Sequence, residues 1–417
     1  MGACRPRPTS LGVFVKVIGL ISGTSSDGID AAIVEISRRG DLIRLIDFAI
    51  YPYPESLQQK LIALASGNPQ SVADLCHLNF YLGERFADAA VQIAKKSDIP
   101  LSSVSLIGSH GQTVHHLPTP KKEGKWMIRS TLQIGEPSVI AERTGVTTIA
   151  DFRPRDMAAF GEGAPLTPLL HYHLFGHRKK SRAIVNIGGI SNVTYLKAGG
   201  DREDIRAFDM GPGNMLIDGL VHILTNKRID LHGKIARRGK VILPLLSELM
   251  QHPFIRKKPP KSTGREVFGK AIIERLIHEK ISHSSEDLIA TATAFTAAAI
   301  GFNIRKFILE ARPLWNDGPL TEVVVGGGGV RNNFLMESLA KNLSPIPVSP
   351  FETLGFDSRA IEAITFALLG YHTWHNQPAN IPSVTGASGL VLLGKIIPGR
   401  YTPARATQSI DRAHLSV

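Results

Sequence analysis

Val17-Ile-Gly-Leu-Ile-Ser-Gly-Thr-Ser-Ser-Asp-Gly-Ile-Asp-Ala-Ala-Ile-Val-Glu-Ile36 carries an apolar run into a turn of Gly, Ser, Thr and Asp and a second apolar run out of it. Apolar runs bounded by turn residues predict two strands joined as a hairpin. The turn has two readings. It is an ordinary β-hairpin, or its backbone N–H groups and the hydroxyls of Ser22, Thr24 and Ser25 converge on an anion.

The pattern recurs. Asp41 to Ile50 predicts a third strand. In the second half, Ala183 to Leu196 is again strand, Gly/Ser-rich turn, strand, and Ile205 to Asp209 supplies a third. Two such meanders suggest duplicated domains facing each other across a cleft. The chain has 417 residues, enough for two cores, since one core rarely grows past roughly 250–300 residues. Between the meanders, Ser71-Val-Ala-Asp74 predicts a capped helix with apolar residues at steps of three and four. Val104 to Ile107 and Thr131 to Ile134 predict short strands, Pro137 to Thr144 a short helix. Ser285 to Ile304 and Ser358 to Trp374 predict helices. Glu322-Val-Val-Val-Gly-Gly-Gly-Gly-Val-Arg-Asn-Asn333 predicts a buried strand running through four glycines into a helix, whose first N–H groups would face a ligand. It matches neither the G-x-G-x-x-G nor the P-loop pattern.

Composition narrows the function classes. The net charge of +12 suits anionic ligands, but Lys and Arg are scattered, the densest group being Arg256 to Lys261, and no nucleic-acid motif accompanies them. No nucleic-acid or membrane partner is expected; no apolar run is expected to span a bilayer. Cys4 and Cys76 cannot make a metal site alone, and a reducing cytoplasm fits them. Residues 1–12 lack an h-region and are expected to be an extension, as is the polar stretch from Arg400.

Two acids stand out. Asp209 ends an apolar strand just before Gly-Pro-Gly and reads either as a turn-capping residue or, across a cleft from the first turn, as a general base. Glu362 lies among apolar neighbours and reads as a surface residue or an acid facing the cleft. His110, His115, His116, His171 and His173 lack the Cys or carboxylate partners of a zinc site.

These segments, taken in order, resemble the anhydro-N-acetylmuramic acid kinases: Ser22 to Asp30, Gly108 to His116, Thr131 to Gly135, Asp151 to Pro165, Asn186 to Asn192, Phe208 to Asn214, Pro259-Pro-Lys-Ser-Thr-Gly-Arg-Glu266, Gly326 to Asn332, Glu362 to Phe366 and Val384 to Gly386. The resemblance implies an α/β, two-domain actin-like ATPase (ribonuclease H-like) fold, with duplicated mixed sheets flanking a nucleotide cleft. Residues 1–155, rejoined by about 388–417, would form the domain with the phosphate loop, and residues 156–387 the domain with Asp209 and the glycine run. It implies hydrolysis of the 1,6-anhydro ring of anhydro-N-acetylmuramic acid with phosphorylation of O6, in cell-wall peptidoglycan recycling. ATP and Mg²⁺ would be required, in a cytoplasmic homodimer. A kinase for a free hydroxyl of another amino sugar, and a silent ATP-binding scaffold, are the alternatives.

By the same resemblance Asp209 is the base and Glu362 assists at the sugar. Ser22, Gly23, Thr24, Ser25, Ser26, Asp27, Gly28, Gly188, Gly189, Asn192, Gly211, Gly213, Asn214, Gly327, Gly328, Gly329, Arg331 and Asn332 would hold the nucleotide. His110, Gln112, Thr113, Glu136, Asp156 and Lys261 would hold the sugar, and Asp27 and Asp30 the metal. The chain departs from the family pattern at Ser26, at Met210 and at Phe160-Gly-Glu162.

Overall fold

The computed structural model describes residues 14–23, 26–65, 71–315 and 317–400. Twelve strands follow one another as β1 (Phe14–Ser22), β2 (Gly28–Ser37), β3 (Ile43–Pro52), β4 (Val104–Glu123), β5 (Trp126–Ile134), β6 (Thr148–Ala150), β7 (Ser181–Ile187), β8 (Ile190–Leu196), β9 (Arg206–Pro212), β10 (Leu320–Gly326), β11 (Val348–Pro350) and β12 (Lys395–Ile397). The first sheet has the order β12-β6-β4-β1-β2-β3, with β5 paired to β4; the second is β11-β10-β7-β8-β9. Both contain the same unit: an antiparallel meander, then two strands parallel to its first member. The repeated turn chemistry thus marks a duplicated mixed sheet, the actin-like arrangement.

Alternation along each first strand covers both faces. Ile18 and Leu20 pack outward with the helix Val72–Lys96, while Val17 and Ile21 pack inward. In the second sheet Val185 and Val323 face one core, Ile184 and Val324 the other. The inward residues of both sheets share a core with the helices Pro168–Phe175 and Ile361–Trp374. The second of these falls within the 156–387 unit expected from sequence, yet it lies on the first sheet: a Cβ on Gly19 of β1 would sit 1.9 Å from the Ala363 carbonyl oxygen, and one on Gly108 of β4 2.0 Å from that of Phe366. β12 also returns to the first sheet, on β6.

Other differences have local causes. The short strands expected at 104–107 and 131–134 are parts of a long arm, β4 and β5, which continues outward with exposed Lys and Thr, and a turn at Gly124. The expected helix from Ser358 begins at Ile361, and a 3₁₀ turn, Gly328–Arg331, separates β10 from the helix Asn333–Leu343. The helix Ser285–Ile304, with its π-helical continuation to Leu309, does have the length and apolarity of a membrane span. However, 78% of its most apolar window is inside the protein, as a core helix requires.

Candidate functional site

A cavity of about 380 Å³ opens between the sheets. The first sheet and its crossing helix contribute Asp30 and Glu362; the second contributes Asn186, Gly188, Asn192, Gly327 and Gly328; Arg153 and Arg359 supply the positive charge. β1 and β2 hold Asp30 opposite Ile21, at the end of the hairpin whose turn begins at Ser22. The Ser22 hydroxyl donates to Gln112 Oε1 (2.5 Å), and Gln112 Nε2 donates to the Gly23 carbonyl (3.3 Å), so β4 fastens the start of the turn. Ser26 N–H closes it on Gly23 O (3.1 Å) with φ at 52°, and Tyr53 N–H holds the Asp27 carbonyl (2.9 Å). Thr24 and Ser25 lie outside the described residues.

Burial raises Asp30 to about 7, and the charges of Glu362 and Asp27 add to the shift while Arg359 opposes it. Glu362 is accessible to solvent from the cleft but enclosed by protein elsewhere, so burial raises its pKa too, against the pull of Arg153. Arg153 is oriented by two donations, Nε to His110 Nε2 (2.9 Å) and Nη1 to the Gly163 carbonyl (2.8 Å). His110 in turn uses Nδ1 on Gly111 O (2.9 Å), which makes it a neutral acceptor for Arg153; burial and that guanidinium hold its pKa well down. His110 thus aims the arginine.

Because Asp30 titrates higher in the fold than its ordinary 3.8, its stabilising contribution is present near pH 4 and is lost as pH rises through about 7. Asp30→Asn is expected to raise the thermal midpoint of the nucleotide-free protein at pH 8 by a few degrees, on the order of 2 kcal/mol, and to leave it little changed near pH 4. Differential scanning calorimetry at both pH values decides this; an unchanged midpoint at pH 8 would contradict it.

Three glycine turns of the second sheet stack backbone on backbone. Gly213 N–H donates to Gly189 O (2.9 Å) and Asn214 N–H to Gly188 O (2.7 Å), while Asn214 Nδ2 reaches Ile187 O (3.1 Å). Gly213, Gly327 and Gly329 are required for that stacking, since a Cβ on each would approach Gly188 O, Asn186 Oδ1 or the Ile187 side chain at 2.3–2.5 Å. Gly188 differs. A Cβ there would meet nothing within 3.8 Å and would project beside the cavity, a cradle fitted to close approach by a ligand. Gly211 packs against Ile255, and Asn332 caps the helix Asn333–Leu343 by accepting from Leu335 N–H (3.0 Å); both serve packing first. Arg331 is exposed at the turn.

Asp209 stands on β9 opposite Asn192, beside a bulge that places Met210 in the core. Thr263 N–H (2.8 Å) and the Ser262 hydroxyl (3.1 Å) both donate to Oδ2, leaving Oδ1 without a protein donor among the described residues. Burial lifts its pKa to about 6; those hydrogen bonds pull it down, and the Glu162 charge pushes it up.

Two of the expected sugar contacts have their polar atoms engaged within the protein. Asp156 is fully buried, and its oxygens accept from Gly163 N–H, Asn380 Nδ2 and Thr385 Oγ1 at 2.8–3.0 Å, so it ties the 160–163 loop to residues 380–385 rather than facing a ligand. Lys261 turns its ammonium onto the carbonyls of Phe254 (3.1 Å) and Ile255 (3.2 Å) and over the Phe254 and Phe307 rings; only its backbone, accepting from Asp209 N–H (3.1 Å), serves the site. Thr113 accepts from Gln133 Nε2 (3.3 Å). Glu136 caps its own helix through Ser138 N–H (3.0 Å) and lines, with His110, a second recess of about 340 Å³. No group of three metal-ligating side chains converges among the described residues. Sequence reading passed over Arg153, Asn186, Arg359, Ser262 and Thr263; position within a motif segment signalled all of them but Arg359, which lies just before the Glu362 to Phe366 segment.

A family model described as anhydro-N-acetylmuramic acid kinase matches residues 15–399. The protein of that name from Caldanaerobacter subterraneus subsp. tengcongensis is 45% identical over 387 residues, covering 91% of this chain and 96% of the relative. One from Bacillus cereus strain G9842 is 44% identical over 384 residues, covering 91% and 98%. A solved structure of the ADPNP-bound activator of 2-hydroxyisocaproyl-CoA dehydratase from Clostridium difficile aligns at 11% identity and a TM-score of 0.42, covering 87% of this chain and 96% of that one. With near-complete coverage at this identity, the chain belongs to the anhydro-N-acetylmuramic acid kinase family.

Proposed function

We propose that the protein uses ATP and water to convert 1,6-anhydro-N-acetylmuramic acid into N-acetylmuramic acid 6-phosphate, in peptidoglycan recycling. The observation that carries the reading is Asp209: one carboxylate oxygen fixed by Thr263 and Ser262, the other left without a protein donor, and a pKa raised to about 6. That is the state of a general base near neutral pH. Asp209 accepts a proton from water as the water oxygen bonds to the anomeric carbon. The C1–O6 bond breaks, and O6 takes the γ-phosphoryl group as ADP leaves. The Ser22–Gly28 turn and Gly188 hold the phosphates through backbone and hydroxyl donors. Glu362, with the Arg153 charge beside it, orients the sugar at the phosphate end.

Asp30 and Glu362 also fit a divalent cation, because both line the cavity and the Glu362 charge pushes the Asp30 pKa up, and two carboxylates suffice for Mg²⁺ completed by phosphates and water. Bound there, Mg²⁺ supplies charge neutralisation for phosphoryl transfer. The reading places the protein in the cytoplasm as a homodimer, as the family resemblance implies.

The test is incubation with Mg-ATP and the anhydro sugar in ¹⁸O-water, read early, with preformed product as the control for anomeric exchange. Label at C1 and none in the phosphate ester is expected. Unlabelled C1, or equal phosphorylation of the reducing sugar, would replace this reading with a kinase for an ordinary hydroxyl.

A further inference from the structure

The outer edge of the second sheet is fastened at two points and open between them. β9 pairs with β8 on one side and with no strand on the other among the described residues. On that free side Asp209 N–H donates to the Lys261 carbonyl (3.1 Å), and the Ile205 carbonyl accepts from the Ser383 hydroxyl (3.0 Å). Backbone groups alternate in direction along an antiparallel strand, and residues 206–209 pair regularly, the bulge coming only after Asp209. Ala207, midway, therefore turns both its N–H and its C=O outward, where neither has a partner among the described residues.

A recess of about 550 Å³ lies against this edge, a volume in the range of ligand pockets. Residues 206–208 form one wall, Pro259 and Pro260 a second, and Phe307, Leu314 and Trp315 a third. Three cations also line it, Arg206, Lys258 and Lys306, against one acid, Glu310, which Lys306 already engages at 2.6 Å. Lys258 makes no side-chain hydrogen bond or ion pair among the described residues. Arg206 meets no carboxylate there: it donates to the carbonyls of Glu203 and Ile205 and lies over the Trp315 ring. The recess thus combines an open backbone edge, apolar walls and uncompensated positive charge. The proposed phosphoryl transfer uses none of them.

We infer that this recess binds a short acidic peptide in extended form, added as a strand to β9 and coupled there to Asp209. The outward N–H and C=O of Ala207 are matched by the C=O and N–H of one peptide residue, as when a strand joins a sheet edge. In antiparallel pairing the ligand residue before that one falls opposite Phe208 and the residue after it opposite Arg206. Cross-strand neighbours share a face. The first position accordingly takes an apolar side chain, since Phe208 stands edge-on to Phe307 with ring centroids 6.1 Å apart. The last takes a carboxylate, set against Arg206 and the lysines. From Ile205 to Asp209 the edge measures about 13 Å, so the two fastened points leave room for a tripeptide. A longer strand from another protein would have to displace Ser383 or Lys261. The coupling follows from continuity: Ala207 and Phe208 run into Asp209, and Pro259 and Pro260 run on to Ser262 and Thr263, which hold its Oδ2. That coupling rests on the proposed role of Asp209, whereas the binding does not.

The test is calorimetric binding of the peptide acetyl-Leu-Ala-Glu, with turnover measured at saturating peptide. The wild type is expected to bind it. An amidated analogue ending in Gln, and the peptide N-methylated at its central alanine, are each expected to bind about tenfold more weakly. Arg206→Gln and Lys258→Glu are expected to weaken the acidic peptide by about tenfold as well. Their turnover without peptide should stay within about twofold of the wild type. Saturating peptide is expected to change the wild-type kcat by about fivefold or more, a usual coupling between two sites. No binding, or equal binding of the N-methylated peptide, would overturn the site. Binding with an unchanged kcat would overturn the coupling, and binding by a protein that never turns over would overturn the kinase reading and leave the site standing. A dimer that Leu314→Asp dissolves and the peptide does not would assign this face to a second copy of the chain instead.

Discussion

Asp209→Asn is expected to lose turnover by about 10²–10⁴-fold while its affinity for ATP is preserved, because the amide keeps the shape of the side chain but cannot take a proton. The hydrogen-bond geometry makes the loss specific. Thr263 N–H and Ser262 Oγ donate to Oδ2, and an asparagine oxygen in that position accepts both, so the amide nitrogen falls where Oδ1 was. The strand and its bulge are untouched, and the nucleotide turns at Gly188 and Gly213 are held by backbone bonds independent of the carboxylate. In the wild type the base must be ionised, so kcat/KM should fall as pH drops through about 6. The variant should lose that limb. Coupled ADP-release kinetics and calorimetric ATP binding are the measurements; near-normal turnover would remove Asp209 from the role of base.

What the sequence made legible, and what it hid, divides by range. Both meanders were readable because a strand–turn–strand signal is local: apolar runs flanking Ser22 to Gly28 and Gly188 to Gly189 need no distant partner. The β4–β5 arm was not, since its outward half mixes His, Thr and Lys with Leu117, Trp126, Met127 and Ile128, apolar side chains that stay exposed and pack on no core that would demand a pattern. Asp209 could be singled out from its strand end, but its partners Ser262 and Thr263 come from a loop more than fifty residues away in sequence. Lys261 and Asp156 were placed at the sugar by the resemblance alone, and the sequence could not show how their side chains are engaged: one lies on carbonyls and rings, the other on three internal donors.

The longest-range feature yields the other large expected effect. Gly19 and Gly108 are register partners on β1 and β4, and the helix Ile361–Trp374 lies directly on the flat patch they make. A Cβ at Gly19 would be 1.9 Å from Ala363 O and 2.9 Å from Ala367 N; one at Gly108 would be 2.0 Å from Phe366 O. Gly370 continues the contact, its own Cβ position 3.3 Å from Gly108 Cα. Every obstructing atom at Gly19 and Gly108 is backbone, so no rotamer change relieves the clash. The helix cannot simply lift, because Tyr371 Oη donates to Ser37 O (3.0 Å) and Arg38 O (2.9 Å) at its far end. Gly19→Ala should therefore cost about 3 kcal/mol or more, the upper range of overpacking, and Gly19→Val should leave little folded protein. Whatever Gly19→Ala protein folds should show a disproportionate loss of kcat, since the same helix carries Glu362 into the cavity beside Asp30. Gly389→Ala, with nothing within 4 Å of the new methyl, serves as the neutral control. Thermal unfolding together with turnover per folded molecule separates the two effects. A Gly19→Ala protein as stable as the Gly389→Ala control would mean that the crossing helix is not seated on the strands as closely as these contacts require.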